Sequence, residues 1–265
     1  MSDGKYAFEK SKIIQGDCLE KMKLIPDGSI DMILADLPYG TTQNKWDSVI
    51  DLNLLWREYR RIIKERGAIV LFSAQPFTSA LISSNYRNYK YTWYWEKTQS
   101  VGHLNAYKQP MRKIEEINVF YKKQCNYNYQ LRDKPKEDIR PHSKSGLTGN
   151  YGKYNSDQSK NRKIPLDKKL PENLITFANE QKTIHPTQKP LALFEYLIKT
   201  YTNEGDVVLD NVAGSGTTGE ACINLNRDFI LIEKELNYYQ VIKERVGKIF
   251  KNYGLDLQPL LNEQM

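Results

Sequence analysis

The stretch Ser29-Ile-Asp-Met-Ile-Leu-Ala-Asp36-Leu-Pro-Tyr39 is a short apolar run that stops on an acid, a proline and an aromatic ring. The part from Ser29 to Ala35 predicts a buried strand. Asp36, Leu37, Pro38 and Tyr39 then lie at its carboxyl end, where open α/β sheets bind their ligands. Such a group suits work on a flat, weakly nucleophilic amino nitrogen, like that of a nucleobase, whose lone pair is delocalised into the ring. The Asp36 carboxylate and the Leu37 carbonyl are two acceptors that can take both N–H bonds and turn the lone pair out of the plane toward an electrophile. Pro38 stiffens the turn because its φ is fixed. Tyr39 offers a ring for stacking, worth roughly 1–3 kcal/mol on a base. A plain β-turn with a core tyrosine explains the same four residues, so the decision lies elsewhere in the chain.

It lies downstream. Asp206-Val-Val-Leu-Asp210 predicts a second strand, followed by Asn211-Val-Ala-Gly214-Ser-Gly216-Thr-Thr-Gly219 and a helical pattern over 220–226. An apolar strand, Phe229-Ile-Leu-Ile232, then ends in Glu233. Glycines let the backbone come close to a cofactor. An acid about twenty residues further on can take ribose hydroxyls, and Glu233 stands 19 positions after Gly214.

Together these stretches resemble the DNA amino-methyltransferases. That family carries an Asp-Pro-Pro-Tyr motif, read here as Asp36-Leu37-Pro38-Tyr39, and an Asp-Pro-Phe-x-Gly-x-Gly motif, read here from Asp210 to Gly216. A Thr-x-Lys-Pro element before the glycine loop is matched by His185-Pro-Thr187-Gln-Lys189-Pro190. The order, catalytic motif first and cofactor loop last, is similar to the family's β class, and the likeness covers most of the chain outside residues 122–182. Leu37 stands where the family has a proline, but the role there belongs to a backbone carbonyl. Val212 stands where a phenylalanine would pack on the cofactor.

The resemblance implies S-adenosylmethionine as cofactor and DNA as partner, with Asp36, Leu37, Pro38 and Tyr39 catalytic. It implies Asp17, Cys18, His185, Thr187, Lys189, Asp210, Gly214, Ser215, Gly216 and Glu233 around the cofactor. Asp17 would accept from the cofactor's adenine amino group and Glu233 would hold the ribose. Asp17 also suits the N-cap of a helix starting at Leu19, and both roles can hold at once. The implied fold is α/β, a Rossmann-like methyltransferase domain with a mostly parallel sheet, helices on both faces and permuted order. Its halves are 1–121, the catalytic part, and 183–265, the cofactor part, with an inserted target-recognition region at 122–182.

Length and composition agree. A chain of 265 residues, 40% hydrophobic, is one large domain with or without an insertion. The net charge is +7, which suits a polyanionic partner. Residues 122–182 hold fourteen Lys/Arg against seven Asp/Glu, which equals the whole excess. Tyr121 at the edge of that segment and Tyr127, Tyr129, Tyr151 and Tyr154 within it alternate with basic residues, so cations can hold phosphates while rings and amides meet bases. No charged-then-apolar start is seen and no apolar run approaches the roughly 18 residues of a membrane helix, which predicts a soluble, cytoplasmic protein. Cys18, Cys125 and Cys222 are odd in number and widely spaced, and the histidines have no ligand spacing, so no metal is expected.

The remaining pattern alternates strands and helices, as a mostly parallel sheet requires. Asp51 predicts the cap of a helix with Leu54, Leu55, Tyr59, Ile62 and Ile63, ended by Arg66-Gly67. Strands are expected at 68–72, 89–95 and 117–120, and helices at 77–82, from Pro190 to Tyr201, and over 236–250. The polar loop 40–47 is read as facing DNA, with Trp46 as a packing anchor rather than a base contact. In the family, the segment matching 97–111 lines the pocket of the extruded base; an ordinary loop explains it equally.

The function expected is transfer of a methyl group from S-adenosylmethionine to adenine N6 of a flipped base, since the amino group cannot be reached inside a stacked duplex. Cytosine N4 is the alternative; the resemblance associates Asp at the first motif position with adenine and Ser with cytosine. Gly214-x-Gly216-x-x-Gly219 also matches a dinucleotide fingerprint, but only 46 residues follow it, too few for a complete dinucleotide fold downstream. A catalytically silent DNA-binding protein is disfavoured by the intact tetrapeptide. A homodimer and an associated restriction enzyme stay open as further partners.

Overall fold

Strands that are apolar on both faces can be satisfied only by a sheet covered on both sides. The computed structural model, which describes residues 8–40, 49–139, 164–180 and 188–261, has this arrangement. In chain order the elements are β1 (Lys12–Gln15), α1 (Cys18–Met22), β2 (Ile30–Asp36), α2 (Leu52–Ile62), β3 (Ile63–Ser73), α3 (Phe77–Ser84), β4 (Tyr89–Val101), β5 (Arg112–Phe120), β6 (Arg132–Asp133), β7 (Lys168–Lys169), β8 (Leu174–Phe177), α4 (Leu191–Tyr201), β9 (Val207–Asp210), α5 (Thr217–Asn224), β10 (Asp228–Glu233) and α6 (Leu236–Tyr253). Eight strands form one sheet in the order β1-β10-β9-β2-β3-β5-β4-β8. The run from β1 to β3 is parallel, β5 is antiparallel to both neighbours, and β8 is parallel to β4.

Two cores follow from the period of two along each strand. Met32, Leu34, Val70, Phe72, Val208 and Leu231 face α4, α5 and α6. Their neighbours Ile33, Ala35, Ile69, Leu71, Leu209 and Ile232 face α1, α2 and α3. Asp51 caps α2 as expected, accepting from the amides of Asn53 at 2.8 Å and Leu54 at 3.1 Å. One expectation is corrected: Gly67 does not end that helix. The chain passes from α2 into β3 at Ile63, and Gly67 lies inside the strand where the register with β2 shifts. A side chain at Gly67 would come within 2.9 Å of the Asp31 carbonyl, so glycine is needed there for close backbone approach.

The chain divides into two compact units, one of residues 1–128 with 173–265, the other Tyr129–Glu172. The second contains the small antiparallel pair β6–β7, Arg132 opposite Lys169. Residues 173–180, placed with the insertion on sequence grounds, supply β8 to the main sheet. Among the described residues no helix is long and apolar enough to cross a membrane.

Candidate active site

The parallel register brings four acids to one edge. Asp36 ends β2, Asp210 ends β9, Glu233 ends β10, and Asp17 follows β1 by two residues. From the adjacent pair β9 and β2 the connections run in opposite directions, β9 to β10 and β2 to β3. The crevice between them is therefore the switch point where such sheets bind ligands. A cavity of about 690 Å³ opens there, within the first unit. Asp17, Cys18, Asp36, Leu37, Pro38, Tyr39, Lys189, Asp210, Gly214, Ser215 and Glu233 all line it. Gly216 does not; it caps α5 just behind, at φ +77°. His185, Thr187 and the loop 41–48 with Trp46 lie outside the described residues.

On the β9–β10 side the glycine loop is held from two directions. Glu233 Oε2 accepts from the Gly214 amide and Oε1 from the Glu235 amide, both at 2.8 Å. Arg245 donates to the Ser215 carbonyl at 3.0 Å and pairs with Glu220. Gly214 is at φ +52° and a side chain there would meet nothing within 4 Å, so the loop presents bare backbone to open space. Asp210 is fully buried and accepts from Thr218 and from the Val212 amide. Burial pushes its carboxyl up to about 7, and the Asp36 and Glu233 charges add to the effect against those hydrogen bonds. Burial likewise raises Glu233. Asp17 is half-exposed and caps α1 through the Leu19 amide at 3.0 Å, while Lys234 stands 3.3 Å from its other oxygen.

On the β2 side, both oxygens of Asp36 are engaged. Oδ1 accepts from the Tyr39 hydroxyl and Oδ2 from Lys189 Nζ, each at 2.6 Å. The Tyr39 ring stacks on Phe77 with centroids 5.4 Å apart. Lys189, 7% exposed, was expected beside the cofactor but points its ammonium at Asp36, 5.3 Å above the Phe72 ring. Burial alone would lower its pKa; the Asp36 and Glu115 charges outweigh burial and raise it. Glu115 continues the chain of charges, with Oε1 2.5 Å from Lys97 Nζ and Oε2 3.3 Å from Lys189. Burial would raise the Glu115 carboxyl, but the two ammoniums hold it below its ordinary value.

Lys97, Glu115 and Asn211 are the residues that sequence reading passed over. Lys97 and Glu115 were legible only as charges inside strands, which must find partners when buried. Asn211 stands where the Asp-Pro-Phe-x-Gly-x-Gly motif has its proline. It is 1% exposed, its Oδ1 accepts from the Tyr59 hydroxyl at 2.5 Å, and its side chain also interacts with the Cys18 thiol.

Comparison with known proteins agrees with this geometry. A family model described as DNA methylase matches residues 30–244. The type II methyltransferase M.HpaI of Haemophilus parainfluenzae is 28% identical, over 91% of this chain and 76% of its own. The DNA adenine methyltransferase YhdJ of Escherichia coli K12 is 29% identical, over 89% of this chain and 83% of its own. The crystal structure of the M1.HpyAVI–SAM complex superposes with a TM-score of 0.59 at 29% identity, covering 88% of this chain and 98% of that one. With a match that runs from β2 into α6 and includes both motifs that meet at the cavity, the chain belongs to the N6/N4 family of DNA methylases.

Proposed function

We propose that the protein methylates adenine N6 in DNA with S-adenosylmethionine as donor, on a base flipped out of the duplex. The observation that carries this reading is the meeting of Asp36-Leu37-Pro38-Tyr39 with the Gly214 loop, Asp210 and Glu233 in one cavity. The residues suit the cofactor. Bare backbone at Gly214 leaves room for close approach, and Glu233 keeps lone pairs for ribose hydroxyls. The carboxylates at this edge, Asp17, Asp36, Asp210 and Glu233, favour a cation. S-adenosylmethionine, when bound, supplies a methyl group on a positively charged sulfur.

The chain's own residues handle the base. Asp36 and the Leu37 carbonyl accept the two amino N–H bonds and turn the nitrogen lone pair outward. The Tyr39 ring, backed by Phe77, stacks on the base face. Asp36 need not be a strong base, because a methylated nucleobase ammonium gives up its proton readily. Most of the acceleration comes from positioning and from acceptors fixed in advance. Residues 122–182, with their basic and aromatic side chains, are the part assigned to target recognition, and 129–172 of them form the second unit.

Cytosine N4 is the second reading, since the family spans both bases. The YhdJ relative, named an adenine methyltransferase, and Asp36 at the first motif position favour adenine. Nucleoside mass analysis of DNA from cells expressing the chain tests it. N6-methyladenine is expected; N4-methylcytosine would move the assignment to the second reading, and neither product would overturn both.

A further inference from the structure

Asp36 is already occupied in this structure, and one of its occupants is a cation. Lys189 Nζ sits 2.6 Å from Oδ2. In the transfer proposed above, the amino nitrogen becomes positive as its lone pair is given away. An ammonium left on the acceptor of that nitrogen opposes the developing charge, and does so strongly in a buried site. The structure offers a second place for it. Glu115 Oε2 is buried, lies 3.3 Å from the same Nζ, and makes no hydrogen bond of good geometry among the described residues. Its other oxygen is held by Lys97, so the carboxylate is fixed on β5 with Oε2 already ion-paired to the Lys189 ammonium that Asp36 hydrogen-bonds.

We propose that Lys189 and Glu115 are positioning residues: the Lys189 ammonium moves from Asp36 Oδ2 to Glu115 Oε2 as the target amino group arrives, leaving Asp36 to that amino group. This rests on the amino-methyltransferase reading of the cavity. No covalent bond changes and no proton is transferred. Asp36, Glu115, Lys97 and Lys189 sum to zero charge, so the exchange buries no new net charge. The mobile member is the right kind of group, a point charge on a flexible four-carbon stem with three rotatable donors. The two carboxylates it shuttles between are on β2 and β5 of the same sheet.

The test compares Glu115→Gln, Lys189→Met and the double variant, with single-turnover methylation, S-adenosylmethionine calorimetry and melting. Glu115→Gln removes the charge that receives the ammonium and leaves the group at net +1, so Lys189 stays on Asp36. The rate should fall roughly ten- to a hundredfold, the equivalent of one hydrogen bond to a charged group, with cofactor affinity unchanged. Adding Lys189→Met restores neutrality and removes the ammonium, so the double variant should recover most of that loss. A double variant as slow as Glu115→Gln, or a Glu115→Gln protein at full rate, would overturn the proposal. Should Glu115→Gln fail to fold, Lys189→Met alone decides. It should lose less rate than Asp36→Ala, whereas a lysine that itself contacts the base would make the two losses equal. A wild-type chain that methylates no DNA would sink the function and this exchange with it, whereas an active wild type whose variants behave otherwise sinks the exchange alone.

Discussion

At the scale of single residues, Asp36 and Tyr39 act as a unit. Stacking alone would need only the tyrosine ring, but its hydroxyl also donates to Asp36 Oδ1 at 2.6 Å. Tyr39→Phe should therefore slow methylation by up to the ~1.5–3 kcal/mol of a hydrogen bond to a charged group. Tyr39→Ala should cost more, because the ring on Phe77 goes too. Asp36→Ala should abolish transfer while leaving S-adenosylmethionine binding intact; a tritiated-methyl assay beside calorimetry reads both, and near-normal activity would refute the catalytic assignment. Asp210 makes a separate demand. Its carboxyl sits near pH 7 in the free protein, so at neutral pH it is partly protonated. A bound cation favours the carboxylate and lowers that pKa. Binding should then release protons, and affinity should rise as pH climbs through about 7 and level off above. Calorimetry in buffers of differing ionisation enthalpy measures the release. Asp210→Asn should abolish it, and an unchanged release would assign the proton elsewhere.

At the scale of elements, the glycine loop between β9 and α5 separates two uses of one residue type. Gly214 and Gly216 both hold positive φ, which costs a side-chain-bearing residue roughly 1–2 kcal/mol. A methyl at Gly216 would also press on Ile242 of α6 at 3.1 Å, whereas at Gly214 it would point into the open cavity. Gly216→Ala should thus lower the melting temperature more, and Gly214→Ala should weaken S-adenosylmethionine more. Thermal melting and cofactor titration of the pair test this, and equal effects on both measures would refute the division. These elements were legible because their signals are local: the Asp51 cap, the apolar period of α6, the run ending at Asp36. Gly67 was misread because a glycine after a helical pattern looks like a stop, while the reason for it is the Asp31 carbonyl on a neighbouring strand. The start of β8 was hidden for a similar reason. Leu174–Phe177 has polar surroundings in sequence, and only its pairing with β4 makes it a strand.

At the scale of the molecule, the two ends of the chain build one site. Lys189 and Asp36 meet across 153 positions, and no sequence pattern shows such a pairing, although the motifs at each end announced themselves separately. What joins them is the sheet order, which sets β9 beside β2. None of the described residues of the remaining unit, Tyr129–Glu172, is among those lining that cavity. This unit holds eleven Lys/Arg against six Asp/Glu, and neutralised phosphates release counterions, so affinity carried by this unit must fall steeply with salt. Replacing residues 129–172 with a flexible Gly/Ser linker should leave S-adenosylmethionine affinity unchanged, because the described lining of the cavity comes from the other unit. The same protein should lose most of its DNA affinity and show a shallower dependence of log affinity on log salt concentration. Fluorescence anisotropy on duplex DNA over a salt series measures both. A linker variant that keeps the affinity and slope of the intact chain would place the DNA contacts on the methyltransferase unit instead, and would leave the basic insertion without the recognition role assigned to it.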